Sequence, residues 1–134
     1  RGSAMVEAGL VLTLIVMTFI GIVDVGQVIM LHQALTERVR AGARWAVVNT
    51  FDAQQVENVV LYNTSTPADG ATPLLLLTPA MVTVERFNVN TPADRIEVRI
   101  TNYPFRFFTP WIAGAVSARP IVAVLPAEGM GATE

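Results

Sequence analysis

The sequence contains no cysteine and only one histidine, His32. The absence of cysteine excludes disulfides, thiolate zinc sites, thiol nucleophiles and c-type haem attachment. A single histidine cannot supply a histidine-based metal cluster. The chain also has no glycine-rich phosphate loop of the kind that marks nucleotide-binding enzymes. We therefore predict a protein that is not an enzyme, with no cofactor, no metal and no small-molecule substrate.

Lysine is absent as well, so all 9 basic residues are arginines. The formal net charge is -2, which gives no electrostatic case for nucleic acid as a partner. No proline occurs before Pro67. Because an internal proline is the usual cause of a helix break, nothing before Pro67 forces one.

The feature that stands out is a long run without charge near the N-terminus. Glu7 is the only charged residue between Arg1 and Asp24, and Ala8 to Val23 carries none. A membrane span needs about 20 apolar residues. The run is long enough only if Asp24 lies at an interface, is paired, or faces a neighbouring helix. A cleaved signal peptide is the competing interpretation, but the sequence 24–27 does not resemble a cleavage site.

Residues from about 3 to 49 are predicted to form one long helix. Beyond Leu31, apolar and small residues recur at three- and four-residue spacing, as in Leu35, Val39, Gly42 and Ala46. This spacing predicts an amphipathic helix that needs a partner on one side. We expect residues 1–49 to form a hydrophobic transmembrane or filament-core helix, and residues 50–134 to form a small globular head.

The head has the pattern of an α+β fold. A short helix is predicted over 53–61, with Thr50 or Asp52 as its cap. Alternating apolar residues predict strands at 81–87 and 95–101, joined as an antiparallel hairpin. A third strand is predicted at 117–125, and Pro120 indicates that it begins late or lies at an edge of the sheet. We expect three antiparallel strands against one helical face. The four leucines 74–77 form either a buried turn or a patch for a neighbouring molecule.

Two further patterns have ordinary and functional interpretations. Five aromatic residues after the second strand indicate head core and subunit interface rather than a ligand platform, because prolines interrupt them; they are Tyr103, Phe105, Phe107, Phe108 and Trp111. Asn63, Thr64 and Ser65 match the glycosylation sequon on a predicted loop. The sequon is short and common by chance.

The chain resembles the TadE-like pilins of the tight-adherence system, within the type IV pilin-like class. The resemblance rests on Arg1-Gly2, the acidic Glu7, the apolar run and the sequence Gly-Ile-Val-Asp-Val-Gly at 21–26. It continues in the small-residue and arginine segment at 41–46. It extends to the Tyr-Pro-Phe passage within 100–110. Residues 1–46 carry it most specifically.

The resemblance implies a structural subunit of an extracellular type IV or Tad-like pilus used for attachment. Such a subunit is inserted in the inner or cell membrane as a precursor, meets the pilus assembly machinery, and becomes part of a homo-oligomeric helical filament at the cell surface. It further implies a peptidase cut between Gly2 and Ser3. Glu7 would then be the glutamate that neutralises a neighbour's new terminal amine; if the cut is not made, Arg1 of a neighbour is the alternative partner.

The candidate site residues each have a plainer interpretation. Glu7 is either an assembly contact or a residue that marks where the membrane begins. Asp24 either pairs with an arginine of an adjacent subunit or is solvated just beyond the membrane. Arg38, Arg40 and Arg44 form either a solvated helix face or a contact with acidic residues of neighbours. An unpaired carboxylate among packed apolar helices is costly, which favours the assembly interpretation of Glu7.

Two other functions fit the same sequence. The chain is alternatively a minor pseudopilin that primes pilus or secretion assembly without forming the bulk of a filament. It is alternatively a single-pass anchored domain that binds a partner and never polymerises.

Overall fold

The computed structural model describes residues 2–108 and 119–127. Its first element is a single long helix. Helix α1 runs from Gly2 to Val48 without interruption. The predicted helix at about 3–49 is confirmed. All the buried residues of α1 lie at Asp24 or beyond it, so residues 2–23 include no buried residue within the described part of the chain.

The C-terminal half of α1 is part of the core of the head. Leu35, Val39 and Ala43 are fully buried, at the spacing that the sequence predicts. Gly42 lies against the second helix so closely that a Cβ placed there would be 2.6 Å from Cγ2 of Val60. The absence of a side chain at position 42 therefore allows the two helices to approach each other.

Helix α2 extends from Ala53 to Tyr62, which confirms the predicted short helix. Its start is fixed by Asp52, whose carboxylate accepts hydrogen bonds from the backbone N–H groups of Gln54 and Gln55. These bonds satisfy two of the donors that a helix start leaves without an intrahelical partner. Asn63 ends the helix in the left-handed conformation, with φ of 63°.

The sheet has three antiparallel strands in the order β1-β2-β3. Strand β1 is Val82–Phe87, β2 is Arg95–Ile100 and β3 is Ile121–Pro126. The α+β class and the hairpin are confirmed. Strand β3 begins directly after Pro120, as the proline predicts, so residues 119 and 120 are not part of it; positions 117 and 118 lie outside the described residues.

One face of the sheet packs on the helices, with α1 against β2 and β3 and α2 against β1. The apolar residues of β2 that face them, Ile96, Val98 and Ile100, are buried. The other face carries charged side chains, including an ion pair between Arg99 and Glu97. The period-two pattern of β2 thus separates a helix-covered face from a polar one.

The leucine run between α2 and β1 contains both a buried and an exposed part. Leu77 is buried, whereas Leu74 and Leu76 are exposed. Leu75 and Leu76 adopt left-handed backbone conformations, with φ of 55° and 57°. The hydroxyl of Tyr103 donates a hydrogen bond of 2.8 Å to the carbonyl of Leu75 and so ties this turn to the segment that follows β2.

Candidate membrane and assembly surface

The part of α1 from residue 2 to residue 23, called the apolar segment below, is exposed along its length apart from the half-buried Gly21. Within the described chain, α1 is the one helix that is long and apolar enough to cross a membrane. Leu10, Phe19 and Ile22 illustrate the exposure, since each has about two thirds of its side chain uncovered at 68%, 65% and 64%. Such a surface needs lipid or other protein around it.

The two polar side chains inside the uncharged run are satisfied within the helix. The hydroxyl of Thr13 donates to the carbonyl of Gly9, and the hydroxyl of Thr18 donates to the carbonyl of Leu14, each at 2.8 Å. Neither hydroxyl therefore needs water as a partner. This is the arrangement that polar groups require in an apolar environment.

An exposed apolar stripe continues along one side of α1 past Asp24. Ile22, Val25, Ile29 and Met30 are all exposed, and their spacing of three, four and one places them on one side of the helix. The opposite side of the same stretch carries Asp24 and faces the head. The apolar surface of α1 is therefore longer than the uncharged run in the sequence.

Asp24 is buried, with 2% of its surface exposed. Its Oδ1 accepts a hydrogen bond of 2.7 Å from the backbone N–H of Phe108. The residue is not solvated in this structure, because the head segment after β2 covers it. This bond supplies a partner for a carboxylate next to an apolar span, where an unsatisfied charge is costly. Pairing of Asp24 with an arginine of another subunit stays a prediction.

The segment that contacts Asp24 is 101–108, which follows the end of β2. Tyr103 is buried and packs edge-on against Phe105, with ring centroids 5.2 Å apart, so both are part of the head as predicted. Arg106 is exposed, and Phe108 has 67% of its surface exposed. Trp111 lies outside the described residues. Thus Tyr103 and Phe105 are part of the core, while Phe108 stays exposed.

The candidate processing and assembly residues lie at the free end of α1. Gly2 and Ser3 occupy the first described turn and are exposed, and Glu7 is exposed one turn further on. Within the described part of the chain, no hydrogen bond or ion pair is formed by Glu7. Arg1, its suggested partner from a neighbour, lies outside the described residues. The structure leaves the Glu7 carboxylate accessible to another molecule.

The three arginines of α1 have different surroundings. Arg38 donates a hydrogen bond of 2.6 Å to the side-chain oxygen of Asn63, the residue that caps α2. Arg40 forms an ion pair with Glu37 at 3.4 Å, and both side chains are largely exposed, at 61% and 62%. Arg44 is exposed. Arg38 thus links α1 to the end of α2, whereas Arg40 and Arg44 are exposed to solvent.

A buried ion pair in the hairpin was not predicted from the sequence. Asp94 is buried and receives hydrogen bonds from Arg86 at 3.0 and 2.7 Å. The guanidinium of Arg86 also lies over the ring of Phe51, 5.7 Å from its centroid. The hydrogen bonds from Arg86 hold the pKa of Asp94 below its ordinary value. The turn between the strands supports the pair, because Asn90 adopts a left-handed conformation and its backbone N–H donates a hydrogen bond of 3.2 Å to Asp94.

Comparison with known families found a match at the N-terminal helix. The model of the TadE-like protein family matches residues 2–44. The match covers the apolar segment and the part of α1 that carries the three arginines. It confirms the resemblance that the sequence indicates at this helix. No curated protein and no solved structure matched the chain.

Proposed function

Since residues 2–44 match the TadE-like family, we propose that the chain is a structural pilin subunit. Its apolar segment anchors it in the inner or cell membrane as a precursor. The same segment then packs against copies of itself in the core of a Tad-like filament, and the head of residues 50–134 faces outward. The role is structural rather than enzymatic.

One observation supports this proposal: in the described part of the chain, the buried residues of α1 begin at Asp24. Within the described residues the apolar segment includes no buried residue, although it is apolar enough to cross a membrane. A helix of this kind is stable in lipid, where the backbone is internally hydrogen-bonded. Because lipid is already apolar, assembly must be driven by close packing and by charge pairing between helices.

Glu7 supplies the charge pairing in this proposal. Its carboxylate is exposed at the end of the apolar segment and has no partner within the described chain. In a filament core it pairs with a cation from a neighbouring subunit, either Arg1 or the terminal amine left by a cut between Gly2 and Ser3. An unpaired carboxylate would be expelled from such a core, so the pair fixes the axial register of subunits.

Arg40 and Arg44 extend the proposed interface toward the head. They are exposed and lie four residues apart on one face of α1. In the filament they contact acidic residues of neighbours. Exposed ion pairs are individually weak, about 0–1 kcal/mol, so these arginines adjust the geometry more than the strength of assembly.

The test is filament yield after substitution of Glu7. Glu7→Ala and Glu7→Gln are each expected to lower the yield of sheared surface filaments strongly, because a loss of about 1.4 kcal/mol weakens the equilibrium for adding a subunit by about tenfold. Glu85→Gln, which removes an exposed carboxylate from β1, serves as the control. Membrane levels of the chain and its thermal unfolding in detergent micelles should be unchanged in all three variants.

The outcome separates the alternatives. Yield that stays at the wild-type level in both Glu7 variants would sink the assembly role of this residue. Wild-type chain that is present in membranes but scarce in filaments would favour the minor pseudopilin. If the chain is in membranes and the cells form filaments without it, the anchored domain is the better description.

A further inference from the structure

We infer that the head contacts the membrane surface through the segment 104–108, with the ring of Phe108 placed among the lipid headgroups and Arg106 beside their phosphates. This contact is separate from the span formed by α1 and is made before assembly. It rests on the proposed function, because it requires the apolar segment to be in a bilayer. The ligand is a phospholipid surface.

The depth of this segment is fixed by its bond to α1. The backbone N–H of Phe108 is 2.7 Å from Oδ1 of Asp24, so the two residues lie at the same height along the helix. Asp24 ends an uncharged run of sixteen residues, Ala8–Val23. At 1.5 Å per residue that run is about 24 Å long, slightly less than the roughly 30 Å hydrocarbon layer. Asp24 and Phe108 therefore lie at the hydrocarbon boundary.

The exposed stripe on the other side of α1 independently places Asp24 at or below that boundary. Val25, Ile29 and Met30 stay exposed beyond Asp24, with 60%, 54% and 74% of their surfaces uncovered. If lipid covers the helix as far as Met30, Asp24 lies about 9 Å below Met30, inside the membrane. On either estimate, a group attached to Asp24 cannot lie in bulk water above the membrane.

The chemistry of the segment suits a headgroup layer. Phe108 is 67% exposed although it is a large apolar residue, and Arg106 is exposed two residues before it. An exposed apolar ring is stabilised by burial at the boundary between headgroups and acyl chains, and a guanidinium binds phosphate oxygens. The backbone N–H of Phe108 is bonded to Asp24, so the exposed ring can enter the headgroup layer without an unsatisfied N–H donor beside it.

The far end of the head provides a matched control position. Val89, in the turn between β1 and β2, is also a largely exposed apolar residue, at 51%. The turn of Val89 precedes β2, whereas the proposed contact follows β2, so the two lie at opposite ends of this strand. At the Val89 end of the sheet, Arg86 lies over the ring of Phe51, which follows the end of α1 at Val48. From Asp24 to Val48, α1 rises about 36 Å. Val89 therefore lies well away from the membrane.

The experiment measures depth with nitroxide labels on single cysteines. Because the full chain has no cysteine, Phe108→Cys, Val89→Cys and Val16→Cys each give one labelling position. Cysteine at 108 retains the backbone N–H that Asp24 needs. Each labelled full-length chain is placed in vesicles of three parts phosphatidylcholine to one part phosphatidylglycerol. Collision rates with lipid-soluble oxygen and with a water-soluble nickel chelate then give the depth of each label.

We expect the label at 108 to report headgroup depth, the label at 16 hydrocarbon depth, and the label at 89 the aqueous phase. An aqueous label at 108 with a hydrocarbon label at 16 overturns this inference and leaves the anchor intact. Aqueous labels at both positions overturn the inference and the membrane anchor together. Dipolar broadening between labels at 108, without lipid contact, would instead assign the surface to a second copy and overturn the lipid assignment.

Discussion

At the scale of single residues, the arrangement of Asp24 explains how a carboxylate is tolerated beside an apolar span. The sequence shows a charge that interrupts the apolar residues of α1. In the structure that charge turns toward the head and accepts the N–H of Phe108, 84 positions away along the chain. The carboxylate thus links the helix to the head and does not simply mark where an apolar segment ends.

Removal of this link should loosen the head from α1. Asp24→Ala leaves the Phe108 N–H without its acceptor, and we expect the free energy of unfolding to fall by about 1–3 kcal/mol. Asp24→Asn keeps an acceptor oxygen and should lose less. Urea unfolding of the full chain in detergent micelles, followed by tryptophan fluorescence, measures both. Equal stability of the alanine variant and the wild type would show that the bond contributes nothing.

The ion pair of Asp94 predicts a dependence of stability on pH. Hydrogen bonds from Arg86 lower the pKa of Asp94 in the folded chain. A carboxylate with a lowered folded-state pKa stabilises the fold above its unfolded pKa, near 4, and this stabilisation is lost as pH falls through the folded value. The thermal midpoint should therefore drop as pH falls below about 4.

Asp94→Asn should lower the midpoint at pH 7 and make the acid-side drop smaller. Asp69→Asn, in an exposed loop, is the control and should leave both features unchanged. Thermal unfolding between pH 2 and pH 7 provides the comparison. An acid-side drop of undiminished size in Asp94→Asn would assign the pH dependence to other carboxylates.

At the scale of elements, the approach of α1 to α2 depends on one glycine. A Cβ at position 42 would be 2.6 Å from the Cγ2 atom of Val60, a fully buried β-branched residue with little freedom to move. Gly42→Ala should therefore lower stability by about 1–3 kcal/mol, as overpacking of a core generally does. Unfolding of the full chain in micelles gives the value.

Two further variants test the cause. Gly26→Ala, where nothing lies within 4 Å of the added Cβ, should be neutral or stabilising by up to about 1 kcal/mol. Val60→Ala combined with Gly42→Ala should recover part of the stability lost in Gly42→Ala alone, compared with Val60→Ala by itself. If the two changes were simply additive, contact with Val60 would not be the reason for glycine at this position.

The secondary structure was largely predictable because its signals are local. The period of three and four residues after Leu31 predicted the buried side of α1, and alternation at 96, 98 and 100 predicted the buried face of β2. Asp52 could be identified as a cap from its position before α2. Each of these signals depends on neighbours within a turn or two along the chain.

The contacts that assemble these elements were not predictable in the same way. The residues around Asp24 in the sequence do not predict its hydrogen bond to Phe108. Those around Leu75 likewise do not predict its hydrogen bond to Tyr103. The left-handed leucines 75 and 76 also contradict their own backbone preference, so tertiary contacts must hold them. The partner proposed for Glu7 belongs to another molecule, so the structure of one chain does not test it.

At the scale of the whole molecule, the chain divides its surface between two environments. The apolar segment of α1 suits lipid or a bundle of like helices, and the charged face of the sheet suits water. The TadE-like match lies on α1, where this division begins. The central claim is therefore that this helix anchors the precursor and later forms the core of a filament.

The measurement that tests this claim most directly is electron microscopy of filaments sheared from the cell surface, combined with mass spectrometry of their subunits. We predict thin filaments composed mainly of this chain, with an N-terminal peptide that begins at Ser3 if the proposed cut is made. Filaments that lack the chain, with the protein confined to the membrane fraction, would contradict the account.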